Sequence, residues 1–176
     1  MKADTVLTHY IYALHDPIVD VIGYVGRSTA PKERYKAHFN TISRYIADGR
    51  ERHQSRHKVV TADKDLWLIY MIARKCVPRQ MILAQHDNIT LGEADAAENK
   101  WIDFMLAEDE PITNYMVQKM ARRDLTKCPY EPLVSHLRTH DGNFDFRPVI
   151  EEHWGSMQQW EKSHDVLLEM VRGKRN

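Results

Sequence analysis

Three small groups of side chains in this sequence could do chemistry. The first is a single carboxylate. Between Leu91 and about Glu108 the apolar residues Ala94, Ala97, Trp101, Ile102 and Met105 recur at helical spacing, and Glu98 falls inside their stripe, four residues after Ala94 and three before Trp101. A carboxylate turned toward a core costs several kcal/mol unless it is paired or coordinates a cation. Glu98 therefore reads either as a metal ligand or as a rim residue bridged to a nearby arginine, whereas Asp95, Asn99, Lys100 and Asp103 turn toward solvent. The second group is Arg34 and His38, four apart beside the apolar positions Tyr35 and Phe39. A guanidinium there could hold a phosphate through a fixed fork of donors, and an imidazole beside it could donate to the same phosphate or relay a proton; a solvated surface pair is the plainer alternative. The third group is two phenols, Tyr12 and Tyr24. Each reads either as a core tyrosine with a hydrogen-bonded tip or as a general base whose proton is drawn off by nearby cations.

The elements that must position these groups follow from pattern. Tyr10 to Leu14 and Val21 to Gly26 are aromatic and β-branched runs separated by Asp16-Pro17, which predicts an antiparallel hairpin. Ser28-Thr29-Ala30-Pro31 is a helix entrance, and Tyr35, Phe39, Ile42 and Ile46 carry that helix to about Ala47, before Asp48-Gly49. A second helix is expected over Asp65 to Lys75 with Leu66, Ile69, Tyr70 and Ala73 inward, then a short buried strand over Gln80 to Gln85, then the helix that carries Glu98. Ile112 to Met116 forms a strand or turn. The order β-β-α-α-β-α predicts an α/β or α+β layer: a small antiparallel or mixed three-stranded sheet flanked by helices. Beyond Met116 the composition changes. Pro129, Pro132 and Asp141-Gly142-Asn143 punctuate a mostly helical extension, so residues 1–116 and 117–176 read as two units. A long helix is expected from Pro148 toward Val171, with Gly155 inside it, and its Trp154, Met157 and Trp160 face reads as a docking surface for the first unit or for a second copy, giving a homodimer.

Composition bounds the class. The 176 residues are 43% hydrophobic, enough for a core without disulfides or structural metal, and only two are cysteine, which excludes a disulfide framework. The longest apolar run, Leu66 to Ala73, has eight residues against the ~20 of a membrane helix. Residues 1–16 contain Lys2, Asp4 and His9 and no apolar signal stretch, so a soluble, cytoplasmic protein is expected. The net charge is zero, which excludes a uniformly basic nucleic-acid binder, but the charge is unevenly placed. Gly26 to Val60 holds nine Lys and Arg against three acidic residues, or +6, while residues 61–110 hold five basic against ten acidic, or −5. One basic face on a neutral chain suits a polyanion that touches one surface. Paired histidines at 53/57 and 136/140 lack the cysteine spacing of a zinc site.

Tyr10-Ile11-Tyr12, then Tyr24-Val25-Gly26, Arg34, His38, Glu98 with Trp101-Ile102, and finally Asn114 follow one another in an order that resembles the GIY-YIG nuclease family, over Thr8 to Asn114, 107 of the 176 residues. Tyr10 stands where the signature glycine would be, and Arg27 where members often carry lysine. The resemblance implies a metal-dependent endonuclease that hydrolyses phosphodiester bonds in DNA, with RNA left open. It implies one Mg²⁺ (or Mn²⁺) per active site with Glu98 as the sole protein ligand, Tyr24 as the base that activates water with Tyr12 as its alternative or partner, Arg34 as the phosphate clamp and His38 as proton relay or phosphate contact. Arg27, Lys32, Lys36 and Arg44 would line the nucleic acid, and Asn114 would contact it or support Glu98 or the hairpin. In this reading the unit 117–176 selects the target, docks or dimerises. The competing expectation is a binding or protein-interaction module that shares the domain but does not cut.

Overall fold

A computed structural model describes residues 5–47, 63–114 and 146–162. Within them the elements are β1 (Leu7–Asp16), β2 (Val21–Ser28), α1 (Pro31–Ala47), α2 (Asp63–Ala73), β3 (Arg79–Ile89), α3 (Leu91–Ala107), α4 (Arg147–Trp154) and α5 (Met157–Lys162). The three strands form one antiparallel sheet in the order β2-β1-β3, an α+β arrangement with the expected element order through α3.

β1 is central because it is apolar on both sides: Ile11, Tyr12, Ala13 and Leu14 are all fully buried. Alternation along the strand sends Tyr12 and Leu14 into a core with Phe39 of α1, with α2 and with Trp154 and Trp160. It sends Ile11 and Ala13 to the opposite face, against Val25, Ile102, Met105 and Ile112. The hairpin turns at residues 17–20, where the Asp16 carboxylate accepts from the backbone N–H of Ile18 at 2.8 Å, the local bond that makes aspartate a turn former. α3 starts at a reciprocal cap: the Thr90 hydroxyl accepts from Glu93 N, and the Glu93 carboxylate accepts from Thr90 N at 2.8 Å.

The structure departs from expectation in four places. β3 is an eleven-residue strand at the edge of the described sheet and not a short buried one; Met81 is 44% and Ile82 51% exposed, and among the described residues no strand lies on its outer side. α2 buries Trp67, Leu68, Ile69, Met71, Ile72 and Ala73, more than one stripe, because it packs against both the sheet and α4. Within the described residues the expected long C-terminal helix is interrupted. Gly155 adopts φ +85°, ends α4 and lets Trp154 and Trp160 meet edge to face at 5.1 Å. Those indoles are buried in this chain's own core, and Trp154 Nε1 donates to the Ala73 carbonyl at 3.0 Å, so the two tryptophans of the face expected to dock do so within the chain. Residues 111–114 form no strand but clip the outer edge of β2. Thr113 donates through both its backbone N–H and its hydroxyl to the Gly23 carbonyl, and the Glu110 carboxylate accepts from Ile22 N at 2.7 Å. Among the described residues no helix is long and apolar enough to cross a membrane.

Asn114 completes that clip. Its Oδ1 accepts from Val25 N at 3.0 Å and its Nδ2 donates to Val25 O at 2.6 Å, so the buried amide replaces a neighbouring strand. Substituting Asn114→Ala leaves a buried N–H and C=O unpaired and should destabilise the fold by about 2–4 kcal/mol, read as a lower urea midpoint. An unchanged midpoint would contradict this structural role.

Candidate active site

The two phenols stand side by side on the α1 side of the hairpin. Tyr12 pairs with Gly26 across β1 and β2 while Tyr24 pairs with Leu14, and the rings lie 6.2 Å apart. A side chain at Gly26 could not coexist with them, since its Cβ would fall 2.7 Å from both the Tyr12 hydroxyl and the Tyr24 ring. α1 brings the next two groups. Its first turn is anchored to the segment leading into β3: Gln80 Nε2 donates to the Pro31 carbonyl at 2.8 Å, and the Tyr35 hydroxyl donates to the Pro78 carbonyl at 2.6 Å. From this anchored turn Arg34 and His38 reach the phenols.

His38 is buried, with Nε2 2.8 Å from the Tyr12 hydroxyl and its ring 5.2 Å from that of Tyr24. Burial holds its pKa down at about 3, helped by the charges of Lys64 and Arg34, so the ring is neutral at ordinary pH. Arg34 is an exposed residue whose guanidinium interacts with both phenols. Burial raises both phenols above the ordinary tyrosine value. For Tyr12 the neighbouring Tyr24 adds to the rise; for Tyr24 the Glu98 carboxylate does; Arg34 opposes it for both. Tyr12 is fully enclosed whereas Tyr24 keeps part of its surface exposed to solvent.

Glu98 lies at the rim of its helix stripe, its side chain 22% exposed. Arg27 bridges it: the Arg27 Nε is 2.5 Å from Asp95 Oδ1 and 3.4 Å from Glu98 Oε2. Desolvation raises the Glu98 pKa, Arg27 and Arg34 lower it, and Asp95 adds to the rise. The guanidinium expected on nucleic acid is thus held by two carboxylates, one of them Asp95, whose side chain remains 51% exposed as expected. The expected sites divide accordingly. Tyr12, Tyr24, Arg34 and His38 form one cluster, and Glu98 is close enough for its charge to act on both phenols. Lys32 and Lys36 are exposed on α1, Asn114 is buried on Val25, and the side chain of Arg44 lies outside the described residues, as do the histidine pairs and Cys128. One neighbour was not foreseen. Lys64, at the start of α2, places Nζ 3.4 Å from His38 Nδ1 and 5.7 Å from the centre of the Tyr24 ring. Its only sequence signal was a position just before the expected start of that helix.

Among the described residues no group of three or more histidine, cysteine or acidic side chains could cage a metal. A largely hydrated Mg²⁺ needs less, since one or two carboxylates suffice. Glu98 fits that demand: it is partly desolvated, it reaches solvent, and Arg27 approaches it through Oε2. Together these groups could bind a phosphodiester, offer a carboxylate to a cation and accept a proton from water.

The His38 shift fixes a sign for stability. The unfolded ring takes up a proton near 6.5 and the folded ring only near 3, so stability is full above 6.5 and is lost as pH falls between those values. Urea midpoints measured from pH 7 to 4 should fall, and fall less for His38→Gln; equal slopes would contradict a neutral buried imidazole. Compared with protein-family models, with curated proteins and with solved structures, the chain matches none.

Proposed function

We propose that this chain is a divalent-metal-dependent endonuclease that hydrolyses phosphodiester bonds in DNA. The observation that carries the reading is convergence: Tyr12 from β1, Tyr24 from β2, and Arg34 and His38 from α1 meet in one cluster, with Glu98 from α3 within electrostatic reach. Aromatic packing alone does not require a guanidinium beside both phenols and a neutral imidazole bonded to one of them. The GIY-YIG resemblance names these same five residues.

In this reading Arg34 grips the scissile phosphate and stabilises charge that builds in the transition state. Tyr24, the partly exposed one of the two tyrosines, accepts as its phenolate the proton of the attacking water, and Tyr12 supports it from inside the core. Glu98 would hold Mg²⁺, which when bound supplies Lewis-acid stabilisation to the phosphate and the leaving oxygen. Lys32 and Lys36 on the exposed side of α1 would meet the flanking backbone. The Arg27–Glu98 contact favours a second reading, in which the guanidinium neutralises the carboxylate and the domain binds DNA without cutting.

Supercoiled plasmid with Mg²⁺ or Mn²⁺ separates the two. The wild type should nick or linearise it, Glu98→Ala should not, and Tyr24→Phe should lose about 10²–10⁴-fold in rate with DNA affinity kept. DNA binding with no cleavage by the wild type on plasmid or genomic DNA would favour the second reading. The pH profile has a definite direction. Activity should fall on the acid side as Glu98 protonates, above the usual carboxylate range because burial raises it, and should climb from about pH 7 to about 9 as the raised phenol begins to ionise. A flat alkaline limb would argue against a tyrosine base.

A further inference from the structure

We infer that Lys64 fixes the tautomer of His38 and so sets the direction of a hydrogen-bond chain that runs from Lys64 through His38 to Tyr12, beside Tyr24. The Lys64 ammonium is half-buried, held by the Asp65 carboxylate at 3.2 Å, and faces His38 Nδ1 at 3.4 Å. An ammonium has hydrogens and no lone pair, so Nδ1 must accept. A neutral imidazole carries one N–H, so with Nδ1 as acceptor the hydrogen is on Nε2. Nε2 lies 2.8 Å from the Tyr12 oxygen and therefore donates to it. Tyr12 is then an acceptor toward His38, and its own hydrogen is left free to turn toward the neighbouring Tyr24, whose ring lies 6.2 Å away.

The direction has a consequence for the choice of base. With two adjacent phenols only one is readily ionised, because the first charge opposes the second. A chain that leaves the Tyr12 hydrogen free to turn toward Tyr24 favours the phenolate there and keeps Tyr12 protonated, which makes the partly exposed ring the acceptor of a water proton. That consequence rests on the nuclease reading; the tautomer does not. Reversing the chain, with hydrogen on Nδ1, would turn Tyr12 into a donor toward His38 and remove its support from Tyr24. Lys64 is thus a positioning residue, acting on Tyr24 through two others.

Nitrogen-15 NMR of histidine-labelled full-length protein tests this directly, with the His38 signals assigned from the spectrum of His38→Gln. Wild type and Lys64→Arg, whose guanidinium is also donor-only, should both show hydrogen on Nε2. Lys64→Met, which keeps the apolar stem and loses the donors, should show a mixture or the Nδ1–H form. If the wild type cleaves DNA, Lys64→Met should lower kcat about tenfold with KM little changed, and Lys64→Arg should restore it. A wild-type Nδ1–H ring, or a Lys64→Met spectrum unchanged from wild type, overturns the proposal. Because the wild-type tautomer is read without any variant and without cleavage, its outcome stands apart from that of the nuclease reading.

Discussion

A phenol buried completely in a sheet must bring a partner for its hydroxyl into the core with it, because an unpaired buried hydroxyl costs about 1–3 kcal/mol. Tyr12 is such a phenol, and much of the site follows from satisfying it. Its partner is His38, which is itself buried and so must stay neutral, and the second ring nitrogen of His38 then needs a partner of its own, which Lys64 provides. Gly26 has no side chain because the two phenols occupy the space where one would lie. α1 is tied to the segment entering β3 by Tyr35 and Gln80, so Arg34 and His38 arrive together. The demand of one buried oxygen thus orders residues from β1, β2, α1 and α2.

The sheet separates two kinds of work. The face toward α1 and α2 holds the phenols, the imidazole and the guanidinium, while the face toward α3 is apolar apart from the Arg27, Asp95 and Glu98 group at its margin. Charge passes between them at short range: Glu98 acts on Tyr24 and Arg34 acts on Glu98. β2 is the strand shared by both groups, and the clip made by Thr113 and Asn114 holds its free edge. A strand that places Tyr24 and Arg27 on opposite sides has to be held against slipping, since a one-residue slip exchanges the faces.

Much of this was legible in the sequence, for identifiable reasons. The hairpin, α1 and α3 were read correctly because their periods are clean, and Glu98 stood out because helical spacing put a carboxylate among apolar residues. Both readings of Glu98 kept an arginine or a cation beside it, and the arginine is Arg27. What periodicity could not supply was contact between distant segments. Lys64 and His38 are 26 residues apart and Asn114 and Val25 are 89 apart, and nothing local marks either pair. α2 was misread as one-sided because both of its neighbours are apolar, and β3 was misread as buried because an apolar run does not say whether a strand is central or at an edge. The break at Gly155 was visible as a glycine but not as a turn.

The central claim is that Glu98 belongs to the phenol cluster as the ligand of one divalent cation. Anomalous diffraction from crystals soaked in Mn²⁺ tests it most directly. The account predicts one strong peak in direct bonding contact with the Glu98 carboxylate, on the side facing Tyr24 and Arg34, and its disappearance in Glu98→Ala. Manganese bound elsewhere, with Glu98 still closed on Arg27, would contradict it.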